Sequence, residues 1–227
     1  HAQENHPTKS DQPVAAPAGS VADLYPFESC PITGKKLGGM GDPVVKKYDG
    51  REVRFCCPAC PPKFEKDLPD SFAKLNEKVV KDQRPLYPLK TSVVTGKDLP
   101  ATPYELVYRN RLVLLGAESE KAEFLKDAPK YLGTLNAAVI AQQGKDYVLK
   151  SCPVSNEAFG GDMGESVDMV VAGRLIRLCC KGCTEDVEKN PAKFVAMVDA
   201  ARKGETPKPA DDHKHDHKDH DDHHSGK

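Results

Sequence analysis

The chain has 227 residues, with 33 Lys and Arg against 34 Asp and Glu, 8 His, 8 Cys and no Trp. A formal charge of -1 removes the basic footprint expected of a general nucleic-acid binder or of a protein held on anionic lipid. No apolar run approaches the roughly 18–20 residues needed to span a bilayer, so a soluble chain without a membrane span is expected. A hydrophobic content of 38% and a mean hydropathy of -0.57 fit several small units with polar tails better than one large core.

In chain order, residues 1–24 are rich in Ala, Pro, Gln and Ser without periodicity and read as a flexible leader. The chain begins at His1 rather than at a methionine, which gives the expectation of a processed protein in the periplasm or outside the cell. His1 and His6 open the sequence, and the other six histidines (His213, His215, His217, His220, His223, His224) crowd its last fifteen residues. The body between them therefore lacks the usual base of a Ser-His-Asp or Cys-His centre, and no enzyme is expected.

The body is an internal repeat. Tyr25-Pro-Phe-Glu-Ser-Cys30 returns as Tyr87-Pro-Leu-Lys-Thr-Ser92 and as Tyr147-Val-Leu-Lys-Ser-Cys152, with starts 62 and 60 residues apart. Each is followed by a turn: Pro31-Ile32-Thr33-Gly34, Val93-Val94-Thr95-Gly96 and Pro153-Val154-Ser155-Asn156. Later come Gly50-Arg51 to Cys60, Asn110-Arg111 to Glu120, and Gly173-Arg174 to Cys183. In the first copy, Val44 to Tyr48 and Arg51 to Phe55 flank Asp49-Gly50, a two-residue hairpin signal that Ala172-Gly173 repeats in the third. A helix is expected after each Cys-x-x-Cys or its equivalent, ended by Pro69, Pro129 or Pro191, and then a second, short helix. The fold class is thus α+β: three tandem modules of loop, β-hairpin, helix and short helix, at 25–86, 87–146 and 147–203, with a polar tail at 204–227.

The eight cysteines form two sets of four at equivalent places: Cys30, Cys56, Cys57, Cys60 and Cys152, Cys179, Cys180, Cys183. The middle copy has Ser92, Gly116, Ala117 and Glu120 there, so the set is kept or lost as a group. The later three of each set sit where a strand hands over to a helix, a setting that favours the thiolate form that binds metal. The first, 26 or 27 positions upstream, would fold back over the strand end, as in a treble-clef-like metal knuckle. Met40 and Met163 occupy Gly-rich turns of the same two copies and are candidate auxiliary ligands for a soft ion.

The pattern Cys-Pro-(Ile/Val)-(Thr/Ser), then Gly-Arg-x-(Val/Ile)-x-(Phe/Leu)-Cys-Cys-x-x-Cys, resembles YHS/TRASH-type heavy-metal-binding domains. That resemblance runs from about Tyr25 to Ala201 as three copies. It implies small treble-clef-like modules that sense, bind or traffic metals. It places the family's three cysteines at Cys30, Cys56 and Cys60, and at Cys152, Cys179 and Cys183, with Cys57 and Cys180 as extra, fourth ligands. The middle copy departs from it at every cysteine and is expected to act as a packing spacer.

Other readings of the same thiols stay open. An even cysteine count in small secreted modules also suits a disulfide framework, although adjacent cysteines pair poorly. Cys57-Pro58-Ala59-Cys60 and Cys180-Lys181-Gly182-Cys183 are also redox-type motifs, although no parallel βαβ pattern surrounds them. Four thiolates suit structural Zn(II), in an interaction scaffold, whereas Cu(I) accepts fewer and suits a carrier. Arg51, Arg54, Arg174 and Arg177 flank the sites and are candidates for offsetting thiolate charge, although exposed strand-face arginines are the commoner explanation of such residues. The tail, from Asp211 to His224, alternates imidazoles with carboxylates and no apolar side chain, so loose divalent-metal binding is expected there. The expectation is binding of Cu(I) or Zn(II), two ions in the folded modules, for buffering, detoxification or delivery to a metal-transport or metal-accepting protein.

Overall fold

The computed structural model describes residues 24–160 and 165–205. The leader up to residue 23, Met163 and all eight histidines, including those of the tail, lie outside the described residues. Within them the chain is a mixed α+β structure of small hairpin sheets and helices.

The order of elements repeats. Strands β1 (Val44–Tyr48) and β2 (Arg51–Phe55) precede helices α1 (Cys60–Glu65) and α2 (Leu68–Gln83). Strands β3 (Tyr104–Tyr108) and β4 (Arg111–Leu115) precede α3 (Lys121–Lys126) and α4 (Ala128–Gln143). Strands β5 (Val167–Val171) and β6 (Arg174–Leu178) precede α5 (Thr184–Lys189) and α6 (Pro191–Arg202). Each strand pair is antiparallel with the same register, Tyr48 opposite Arg51, Tyr108 opposite Arg111 and Val171 opposite Arg174. The two-residue loops Asp49-Gly50 and Ala172-Gly173 hold both residues at positive φ, the twist that a tight hairpin needs.

The helix lengths reverse the sequence expectation. The helix after the cysteine cluster has 6 residues, and the one after the proline has 16, 16 or 12. Pro69, Pro129 and Pro191 stand in the first turn of the longer helices, where their missing N–H is no loss and their fixed φ starts the turn. Asp67 and Asp127 cap two of these helices by accepting from the N–H groups of Asp70 and Lys130.

The first two longer helices reach into the hairpin that follows each. Gln83, at the end of α2, donates to the Asn110 carbonyl (2.8 Å) and accepts from Leu112 N (3.0 Å). Gln143, at the end of α4, donates to the Gly173 carbonyl (2.8 Å) and accepts from Leu175 N (2.8 Å). Consequently β4 is buried on both faces: Leu112 and Leu114 join the core around Phe55, Phe64, Leu75 and Val79, while Val113 and Leu115 join Phe124, Leu132 and Leu135. In the third hairpin, Leu175 packs with Val139 of α4, and Ile176 and Leu178 pack with Val187, Phe194 and Val198.

Polar contacts link the third hairpin and its helices back to the first. Arg174 donates to Asp82 of α2 (2.5 and 3.0 Å) and to Asp199 of α6 (3.1 and 2.9 Å) while its own side chain is 4% exposed. Arg54 donates to the Glu188 carbonyl (2.9 Å) and to that of Lys189, at the end of α5. Leu24, at the edge of the described residues, is buried with Met169 and Phe194. Because the two aspartates keep partial solvent contact, Arg174→Met should lower the unfolding free energy in urea by about 2–3 kcal/mol, below the full cost of splitting a buried pair. Asp82→Asn should cost less, since Asp199 still holds the guanidinium.

Candidate metal centres

The cysteine sites begin with a tight loop. Cys30 N donates to the Lys35 carbonyl (2.9 Å) and Gly34 N to the Cys30 carbonyl (2.9 Å), which turns the chain back through Gly34 at φ 68°. The same loop forms at Ser92, with Gly96 at φ 69°, and at Cys152, with Asn156 at φ 63°. Glycine and asparagine are the residues that reach this left-handed region at least cost. The hairpin then delivers Cys56 or Cys179 just past the end of its second strand, and the turn into the short helix delivers Cys60 or Cys183.

These elements bring two triads together. The sulfurs of Cys30, Cys56 and Cys60 lie within 4.8 Å of one another, as do those of Cys152, Cys179 and Cys183, and all six residues are buried. The Cys56–Cys60 separation is 3.8 Å and the Cys179–Cys183 separation 3.7 Å. Three thiolates around one ion at about 2.3 Å stand about 3.8–4.0 Å apart, so both triads are positioned to bind a metal ion. None of the eight cysteines is in a disulfide.

Cys57 and Cys180 stand outside the triads. Cys57 Sγ is 3.5 Å from Cys60 Sγ, Cys180 Sγ is 3.9 Å from Cys179 Sγ, and both residues are partly exposed. Met40 is 59% exposed, so it fills no gap in the core. Met163 and the histidines His213, His215, His217, His220, His223 and His224 lie outside the described residues.

Ionisation differs within each triad. Burial opposes a charge on Cys30, but the backbone N–H groups of Cys56, Thr33 and Ile32 overcome it and bring the thiol down to about 7. Cys152 is lowered in the same manner, against burial, by the N–H groups of Ser155, Cys179 and Val154. Burial pushes Cys60 up to about 12, with the neighbouring thiols adding to it. Cys183 is raised by burial and then by the charge on Cys152. Each triad thus holds one thiol that ionises more easily than usual beside one that resists ionisation, and a bound ion would displace the remaining protons.

The hydroxyl of the Thr/Ser position was missing from the sequence-based ligand argument. Thr33 Oγ1 lies 3.2 Å from Cys56 Sγ, and Ser155 Oγ lies 3.3 Å from Cys179 Sγ. Its recurrence in all three turns was the available signal. The arginines do not serve the thiolates as expected. Arg54 pairs with Glu52 (2.5 Å), Arg177 with Asp168 (2.7 Å) and Arg174 with two aspartates, while Arg51 donates to Asn110 and Asn76. Carboxylate and amide side chains of their own strands, of the packed helices and of the next hairpin hold these guanidinium groups instead.

In the middle copy a carboxylate occupies the place of a thiol triad. Glu120 Oε2 accepts from Gly116 N (3.1 Å) and from the Ser92 hydroxyl, and Oε1 accepts from Thr95 Oγ1 (3.3 Å). Ser92, Gly116 and Glu120 are the positions equivalent to Cys30, Cys56 and Cys60, so the same loop, strand end and helix start are fastened by hydrogen bonds.

Neither a family model, nor a curated protein, nor a solved structure matches the chain.

Glu120→Ala should destabilise the protein by about 1–3 kcal/mol in urea unfolding, because it leaves the Gly116 N–H and two hydroxyls without their acceptor. A Cβ on Gly116 would lie 2.6 Å from Glu120 Oε1, so Gly116→Cys alone is crowded. Changing Ser92, Gly116 and Glu120 to Cys together removes that clash, and should add one thiolate-bound ion per chain by anaerobic metal titration.

Proposed function

We propose that this chain is a heavy-metal-binding protein that holds one soft ion, Cu(I) or Zn(II), in each of its two cysteine clusters. Its role is metal buffering, detoxification or delivery, and it works as a binding protein without catalytic turnover. The observation that carries this reading is the pair of buried three-sulfur sets, spaced for a shared ion and built at equivalent positions. The middle repeat supports it, since losing all four cysteines together leaves a different, hydrogen-bonded fastening in their place.

The resemblance of the cysteine pattern to YHS/TRASH-type domains points the same way. On that reading residues 25–86, 87–146 and 147–203 are three treble-clef-like modules, of which the first and third bind metal. A three-thiolate set suits Cu(I), and recruitment of Cys57 or Cys180 as a fourth sulfur suits tetrahedral Zn(II). The His- and Asp-rich tail would add a loose pool of divalent ions that feeds the sulfur sites, and a metal-accepting protein would be the partner.

Anaerobic loading of the full chain should give two thiolate-bound ions, followed by thiolate-to-metal charge-transfer absorption, which imidazole-bound ions of the tail do not produce. Replacing Cys56, Cys60, Cys179 and Cys183 by Ser should abolish that absorption while leaving loosely held divalent metal. Full retention of the band in this variant would refute the reading. Apparent affinity at the first site should fall with pH throughout, and more steeply below about 7, because protons then compete for Cys30 as well as for Cys60.

A further inference from the structure

We infer that Cys57 and Cys180 are the exchange ligands of the two clusters, the sulfurs through which a bound ion passes to or from a thiolate-bearing acceptor. This inference rests on the metal-binding reading and assigns it a route. The six triad cysteines are only 1–7% exposed, so an incoming ligand has little access to an ion held among them. In each cluster a fourth sulfur stands at the edge: Cys57 lies 3.5 Å from Cys60, and Cys180 lies 3.9 Å from Cys179. Both are partly exposed, and each is followed by two exposed residues, Pro58-Ala59 or Lys181-Gly182, so the edge sulfurs border solvent.

The placement sets apart two roles that a four-cysteine ligand set would merge. The triad sulfurs come from three different segments and are fixed by the loop hydrogen bonds and by core packing. Cys57 interacts with Cys60 and Cys56, and Cys180 with Cys179 and Cys183, but neither edge sulfur belongs to the mutually close set of three. An ion in the triad can form a bond to the edge thiolate while its bond to a neighbouring triad sulfur breaks. One acceptor thiolate then bonds to the ion from the solvent side as the remaining triad bonds break, and a second bonds to it as the bond to the edge sulfur breaks. Protons lost by the acceptor's thiols go to the cysteines released, and the ion keeps its oxidation state throughout. A thiol-bearing acceptor matches this route because each bond broken is replaced by one of the same kind.

The test uses the full chain loaded anaerobically with Cu(I), with Cys57→Ser and Cys180→Ser combined and the corresponding Ala pair as a second variant. Both variants should keep the wild-type number of thiolate-bound ions by charge-transfer absorption. Transfer of Cu(I) to excess free cysteine, timed with a chromogenic Cu(I) chelator, should slow by about tenfold or more, equivalent to roughly 1.4 kcal/mol on the barrier. An unchanged transfer rate would overturn the inference. So would faster release, or loss of the bound ions, since either would make Cys57 and Cys180 permanent ligands. If the unmodified chain shows no thiolate-bound metal at all, the metal-binding reading fails and this inference falls with it.

Discussion

A hairpin of two five-residue strands is too narrow to keep itself folded in water. Every larger feature of this protein follows from how that shortfall is met. The longer helix of one repeat lies on the hairpin of the next, so β4 and β6 are covered by α2 and α4 as well as by their own helices. Gln83 and Gln143 lock the overlap by bonding backbone groups that such narrow sheets would leave to solvent. The continuous apolar run Arg111-Leu-Val-Leu-Leu115 has its explanation here: both faces of the strand meet a core.

Among the described residues no helix of this kind precedes the first hairpin, and its second strand differs. Val53 and Phe55 face the core, while Glu52 and Arg54 are buried as a charged pair. Arg54 meets the carbonyl end of α5, where a guanidinium suits the unsatisfied backbone groups and the negative end of the helix. Arg174 makes the complementary link to α2 through Asp82. Apolar overlap therefore joins successive repeats, and polar contacts join the last to the first.

Much of the site was legible in the sequence because its geometry is local to one repeat. The recurring loop, the Gly-turned hairpin and the Cys-Cys-x-x-Cys spacing were enough to bring together Cys30, Cys56 and Cys60, and Cys152, Cys179 and Cys183. The helix lengths were misjudged because Pro69, Pro129 and Pro191 were treated as stops, although proline in a first turn is a start signal. The periodic continuation through Phe72, Leu75 and Val79 carried the correct length. What no local pattern could reveal was the contact between distant repeats. Nearness in sequence makes Arg51, Arg54 and Arg174 candidates for the thiolates or for an exposed strand face, but they are buried and their partners include Asn110, Glu188 and Asp82, far along the chain.

The middle repeat shows what the cysteine triad contributes to folding. Its loop, strand end and helix start need a common fastening whether or not metal is involved, and Glu120 supplies one from Ser92, Thr95 and the Gly116 N–H. The small residue at 116 belongs to the same solution, since any Cβ there would strike the Glu120 carboxylate. In the outer repeats the equivalent space holds three buried thiols, whose mutual hydrogen bonds are weak and whose ionisation burial resists at Cys60 and Cys183. A metal ion bound there would turn those poorly fastened ends into firm ones, and stability of the outer repeats would then rise with occupancy. The middle repeat stays fastened at all times. It also contributes its hairpin to the core of the first repeat and its long helix to the hairpin of the third, so it holds the frame that carries the two cysteine loops.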